Sequence, residues 1–218
     1  MKVGVLGTGV VGQTLASKLV DVGHDVKMGS RQAGNENAVA WAAGAGASAS
    51  EGSFSSAAGF GDLLINATAG AKSLAALETA GADNLGGKVI LDVSNPLDFS
   101  RGFPPSLTVE STDSVGEQIQ RAYPAAKVVK GLNTMNCDVM VDPSIVPGSH
   151  NVFIAGDDDG AKAEVSALLE SFGWPPEDVF DLGDISAARG LEMYVIFWLR
   201  LFGAAGTGHL NVKVTVGS

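Results

Sequence analysis

Six residues near the start, Gly7-Thr8-Gly9-Val10-Val11-Gly12, have the types and spacing to hold an anion without a charged side chain. They form a GxGxxG after the apolar run Val3-Gly4-Val5-Leu6. A helical pattern follows, with Leu15, Ala16, Leu19 and Val20 on its apolar side. In that setting each glycine has a task. Gly7 allows the tight turn, Gly9 lets the backbone approach a pyrophosphate, and Gly12 lets the helix lie close to the strand. The helix start then presents free N–H groups and a partial positive charge. The chemistry is dinucleotide binding. The competing reading, a glycine turn without a ligand, is disfavoured by the strand–turn–helix context.

A second cluster refines the ligand. Dinucleotide sites that prefer NAD usually carry Asp or Glu about 20 residues beyond the glycines, where it accepts from the ribose 2′-OH. Here the second strand ends in Val26-Lys27-Met28-Gly29-Ser30-Arg31, with no carboxylate. Arg31 offers a planar cationic fork suited to phosphate, and Ser30 offers a hydroxyl. The expected coenzyme is therefore NADP(H), the alternative for Arg31 being a solvated arginine past a strand end.

Few other residues have catalytic spacing. There is no Ser/His/Asp grouping, HExxH, CxxC or plausible carboxylate pair, and no catalytic side chain is assigned. His24, His150 and His209 are scattered; His209, beside a glycine turn, is the one histidine that could touch a substrate. Cys137, the only cysteine, reads as a small buried residue rather than a nucleophile. Asp157-Asp158-Asp159 lies between a strand and a helix. It is better explained by N-capping than by metal binding, and no metal site is expected.

The elements that must position these residues alternate between strand and helix, which implies an α/β, doubly wound, mostly parallel Rossmann sheet with a small C-terminal helical and strand appendage. Strands are expected near 62–68, 88–93, 127–130, 152–155 and 178–182, with helices over 35–46, 73–82, 114–122, 161–172 and 187–202. The stretch 44–61 reads as turns with a short edge strand, and 210–216 as an alternating segment. The expected division is a dinucleotide-binding domain over 1–145 and an extension over 146–218 that completes the substrate pocket. In open α/β sheets, ligands lie beyond the carboxyl ends of the strands. Thr8, Thr68-Ala69, Ser94-Asn95-Pro96 and Asn133-Thr134 should meet there, the first two groups tracking pyrophosphate and riboses, the last two near the nicotinamide. Ser94-Asn95-Pro96 has an alternative reading as a plain turn. The expected coenzyme contacts are thus Gly7, Thr8, Gly9, Val10, Val11, Ser30, Arg31, Ala67, Thr68, Ala69, Asn95, Pro96 and Asn133.

Composition bounds the partners. The 218 residues suffice for one large domain with an appendage, and 45% hydrophobic content supports a substantial core. A net charge of −10 disfavours nucleic acid and anionic membranes, so an anionic coenzyme must be drawn in locally. The apolar stretch 193–205 is interrupted by Arg200 and too short to span a bilayer. The start of the chain lacks the pattern of a signal peptide, and a lone cysteine fits a reducing compartment; a cytoplasmic location is expected. The apolar helix at 187–202 is expected to cover the active site, to join a homodimer interface, or both.

Together these features resemble the F420-dependent NADP oxidoreductase family. The glycine motif and Gly29-Ser30-Arg31 look like its NADP site, and Gly131-Leu132-Asn133-Thr134 like its loop below the nicotinamide, with Asn133 where the family often has histidine. Gly206-Thr207-Gly208 and Val212-Lys213-Val214 resemble its glycine turn and final strand. The segment 136–143 departs from the family pattern. The resemblance implies direct hydride transfer between NADP(H) and a flat acceptor such as coenzyme F420, with Thr134, Met135, Gly206, Thr207 and Gly208 lining the acceptor side. The same architecture occurs in the reductase domain of membrane-bound ferric reductases. Three functions therefore stand: an F420-type reductase; an NADPH-dependent reductase of a flavin, ferric chelate, carbonyl or imine; and a non-catalytic NADP(H)-sensing module.

Overall fold

The computed structural model of the chain describes residues 1–109 and 111–217. Its strands and helices alternate from the first residues. The first half contains β1 (Lys2–Leu6), α1 (Val10–Asp21), β2 (Asp25–Ser30), α2 (Glu36–Ala45), β3 (Ala49–Ser53), α3 (Phe54–Phe60), β4 (Leu63–Asn66), α4 (Gly70–Ala80), α5 (Ala82–Leu85) and β5 (Val89–Asp92). A small hairpin of β6 (Leu97–Asp98) and β7 (Ser106–Leu107) leads to α6 (Val115–Ala122) and β8 (Lys127–Gly131). After these come α7 (Cys137–Val141), β9 (Val152–Gly156), α8 (Asp159–Phe172), β10 (Val179–Asp181) and α9 (Ala188–Ala205).

One eight-stranded sheet has the order β10-β9-β8-β5-β4-β1-β2-β3. From β3 to β8 every pairing is parallel; β9 joins β8 antiparallel and β10 runs parallel to β9. The central strands are near-continuous apolar runs, as expected where both faces of a parallel sheet are covered by helices. Successive residues point to opposite faces. Leu63, Ile65, Val89, Leu91 and Val129 enter the core shared with α1, α2 and α8, while Leu64, Ile90 and Val128 enter the core shared with α3, α4 and α6. The first core runs from Val3 to Trp174, and the sheet itself continues across residue 145 through the β8–β9 pairing.

Two local expectations are corrected. Within 44–61 the edge strand is present as β3, but Phe54–Phe60 forms a helix. Ser53 caps it by accepting from Ser56 N at 3.1 Å, and Phe54, Ala57 and Ala58 are buried in the second core. The small residues that suggested turns are what let this helix lie against β1 and β2: the Cβ of Ala57 would be 2.8 Å from a Cβ placed on Gly29. The segment 210–216, read as a final strand including Val212-Lys213-Val214, pairs with no strand. It is held instead largely by side chains: Asn211 donates to Asn151 O at 3.0 Å, Lys213 pairs with Asp178 at 2.6 Å, and Asn151 bonds the tail backbone twice. Asn151 N donates to Val212 O at 2.8 Å, and Val214 N donates to the Asn151 side chain at 2.8 Å. An amide side chain thus replaces the second half of a ladder.

Candidate functional site

The turn after β1 shows why its residues are these. Gly7 has φ +131°, and a Cβ there would sit 2.5 Å from Ala67 O. A Cβ on Gly12 would sit 2.3 Å from Gly7 O. A Cβ on Gly9 would meet nothing within 4 Å. Two of the glycines are therefore required by the fold itself, while Gly9 leaves open space against the backbone. Gln13 steadies the loop by donating to Thr8 O at 2.9 Å. The helix behind it has no side-chain cap and no acidic residue in its first turn. By contrast α2, α3, α6 and α8 are capped by Asn35, Ser53, Ser114 and Asp158. The N-terminal donors of α1 are free for an anion.

These groups open into a cleft of about 880 Å³ at the carboxyl ends of β1, β2 and β4. It is lined by Gly7, Thr8, Gly9, Ser30, Arg31, Ala67, Thr68 and Ala69 from the expected set. Val10 is exposed at the first position of α1 and Val11 packs partly on the core, so neither side chain lines the cleft. The lining also includes residues without a sequence signal: the loop 32–35, Phe54 from α3, and Lys72, Ala75, Ala76 and Thr79 along α4. The loop is shaped locally. Ser30 Oγ donates to Gln32 O, Asn35 accepts from Ala38 N at 3.2 Å, and Glu51 accepts from Gly34 N at 3.0 Å. Arg31 and Lys72 are the two cations on the lining, and no carboxylate lines it.

Beyond the cleft, Asn95 and Asn133 form a reciprocal pair. Asn95 Nδ2 donates to Asn133 O at 2.8 Å, and Asn133 Nδ2 donates to Asn95 Oδ1 at 2.9 Å and to Leu191 O of α9 at 3.0 Å. Leu132, in the left-handed region at φ +61°, turns the chain out of β8 into this contact. Pro96, Thr134 and Met135 are buried beside it. Three buried polar atoms in these loops lack a partner: Ser94 Oγ, Asn133 Oδ1 and Thr134 Oγ1. Gly206 ends α9 with φ +70°, and Gly208 then passes close to the Asn136 side chain; Thr207 accepts from His209 N. The glycine turn therefore reaches the loop after Met135 rather than the cleft. His209 Nε2 lies 3.1 Å from Asp138 on the exposed surface. Cys137 is partly buried against the first core, and Asp158 caps α8 through Ala161 N.

Sequence reading missed a buried ionic chain beneath these loops. Thr68 Oγ1 donates to Asn66 Oδ1 at 2.7 Å, and Asn66 donates to Asp92 at 2.8 Å. Lys130 Nζ lies 2.9 Å from Asp92 and 2.8 Å from Glu192 of α9, and donates to Ser94 O. Glu192 in turn accepts from Val115 N and Gly116 N at 2.9 and 3.1 Å, at the start of α6. Asp92 and Lys130 are wholly buried and Glu192 nearly so. Burial opposes the Lys130 charge, but Asp92 and Glu192 outweigh it and hold its pKa above the ordinary value. Next to it the Arg189 guanidinium holds the Glu117 carboxyl below its usual range despite its burial. A lysine in an apolar strand carries no signal of this kind, because its partners lie 38 and 62 residues away.

A doubly wound sheet with an uncapped glycine turn at its carboxyl edge defines a dinucleotide-binding scaffold. Residues 2–96 match the model of the family described as NADP oxidoreductase, coenzyme F420-dependent. A solved structure from Arthrobacter sp. FB24, provisionally described as an F420-dependent NADP-reductase, is 49% identical with a TM-score of 0.93, covering 99% of this chain and 100% of its own. The chain belongs to the F420-dependent NADP oxidoreductase family. The rat protein Metalloreductase STEAP3 (Rattus norvegicus) is 30% identical over 192 residues, which is 88% of this chain but 36% of that protein, so the chain spans about a third of its length. An imine reductase from Streptomyces aurantiacus shares the fold, at 19% identity and TM-score 0.67, with 93% of this chain and 64% of that chain covered.

Proposed function

We propose that the protein transfers hydride directly between NADP(H) and a flat redox acceptor, with coenzyme F420 as the leading candidate. The observation that carries the coenzyme half is the cleft. It has open space over Gly9, free donors at the start of α1, and Arg31 and Lys72 with no carboxylate on its walls. The residues fit a dinucleotide carrying an extra phosphate: Ser30 and Arg31 at the end of β2 face the adenosine half, and the α1 donors face the pyrophosphate. The unpartnered Asn133 Oδ1, Thr134 Oγ1 and Ser94 Oγ suit the polar end of the second half. When bound, NADP(H) supplies the hydride; the chain orients it and excludes water.

The test is titration with NADPH and NADH. Arg31→Ala is expected to weaken NADPH by about 1.5–3 kcal/mol, the range for hydrogen bonds to charged groups, and to leave NADH nearly unchanged. Equal loss for both would overturn the role of Arg31. Turnover of NADPH with F420, flavin and ferric chelates separates the acceptors. The ferric chelate is kept as the second reading because of the resemblance to the rat metalloreductase. Tight NADPH binding with no turnover on any acceptor would favour a sensor. Homodimerisation belongs to the same proposal. It rests on α9, which exposes Met193, Phe197 and Phe202, and sedimentation equilibrium showing a monomer would overturn it.

A further inference from the structure

The buried ionic chain has an excess of one carboxylate. Asp92 and Glu192 face a single ammonium, Lys130, in surroundings without solvent. The start of α6 offsets part of the Glu192 charge through Val115 N and Gly116 N. Among the other charged groups on α6, β8 and α9, Glu117 pairs with Arg189, Asp113 with Arg121 and Lys127 with Asp158. These pairs cancel, and Arg200, two turns along α9 from Glu192, is exposed and screened by solvent. A negative remainder is therefore fixed under the loops that carry Ser94, Asn95 and Asn133.

The sheet order places that remainder. The cleft puts the adenosine half at β2 and the pyrophosphate at β1, so the other half of a dinucleotide extends over β4, β5 and β8. Asp92 ends β5, Lys130 lies in β8, and both bond directly to Ser94: Ser94 N donates to Asp92 at 3.2 Å, and Lys130 donates to Ser94 O. The oxidised nicotinamide ring is cationic and the reduced ring neutral. A fixed negative charge in a dry site therefore distinguishes them.

We infer that the Asp92–Lys130–Glu192 cluster makes this site hold NADP+ more tightly than NADPH, so that bound NADPH donates hydride more readily than free NADPH. The inference rests on the coenzyme reading above and adds a preferred direction to it. Asp92 and Glu192 are positioning residues in this role: they act through the field at the ring.

The experiment compares dissociation constants for NADP+, NADPH and adenosine 2′,5′-bisphosphate, which lacks the ring. The unaltered protein should bind NADP+ the more tightly of the two coenzyme forms. Glu192→Gln and, separately, Asp92→Asn each keep the side-chain shape and remove one negative charge. Each should raise the ratio Kd(NADP+)/Kd(NADPH) by about ten-fold, the scale for a unit charge at a partly desolvated site. Binding of the bisphosphate should stay unchanged. An unchanged ratio, or equal weakening of all three ligands, would show that the cluster is only structural and overturn the inference. If neither variant folds, the order of affinities in the unaltered protein decides, and NADPH bound more tightly than NADP+ overturns it. Failure of the bisphosphate to bind the unaltered protein would instead remove the coenzyme reading itself.

Discussion

Gly9 and Gly12 lie three residues apart and differ in what forbids a side chain. At Gly12 the obstacle is the protein: a Cβ would press on Gly7 O at 2.3 Å. At Gly9 nothing in the chain obstructs it. Gly12→Ala is thus expected to lower Tm, with an overpacking cost of about 1–3 kcal/mol. Gly9→Ala should melt like the parent yet lose NADPH affinity, as followed by thermal melts and fluorescence titration. Gly9→Ala binding NADPH normally would mean the open space is not where the pyrophosphate lies. The glycine turn and the place of Arg31 on the cleft were legible because both follow from local sequence. Lys72, Phe54 and Lys130 were not, because each gets its surroundings from elements that meet only in the fold.

At the level of elements, capping distinguishes scaffold from site. Asn35 caps α2 and also lines the cleft, so Asn35→Ala should cost about 1 kcal/mol in denaturant unfolding and weaken the coenzyme as the loop 32–35 loosens. The start of α6 adds a pH dependence. The hydrogen bond from Arg121, aided by Gln118, lowers the Asp113 pKa from 3.8 to about 2. A depressed carboxylate stabilises the fold above its unfolded pKa, and the contribution disappears as pH falls from near 4 towards 2. Asp113 is partly exposed, so solvent screening leaves about 1 kcal/mol of this. Urea midpoints from pH 6 to pH 2 should show Asp113→Asn losing less stability across that window than the parent; parallel curves would refute it. Most strands and helices were readable from period and composition. The α3 helix was hidden because its residues are small, and the tail was mistaken for a strand because alternation does not reveal whether a partner edge is free.

Across the whole molecule, the net charge of −10 would repel the proposed coenzyme while Arg31, Lys72 and the α1 donors would attract it. Salt screens both. NADPH affinity should therefore fall less steeply with ionic strength than its phosphate charges alone suggest, and Arg31→Ala should flatten the dependence further in titrations over a range of KCl concentrations. A steep slope that survives the substitution would place the attraction elsewhere. Among the described residues no helix is long and apolar enough to cross a membrane. The reversal of direction at β9 has its own consequence. It carries the chain away to the far edge of the sheet, and α9 brings it back to the loops after β5 and β8, where Leu191 O accepts from Asn133. On the proposed function, the nucleotide and its acceptor would thus be met in part by separate stretches of chain. Natural variation in the last thirty or so residues would then alter the acceptor side while leaving the glycine turn untouched.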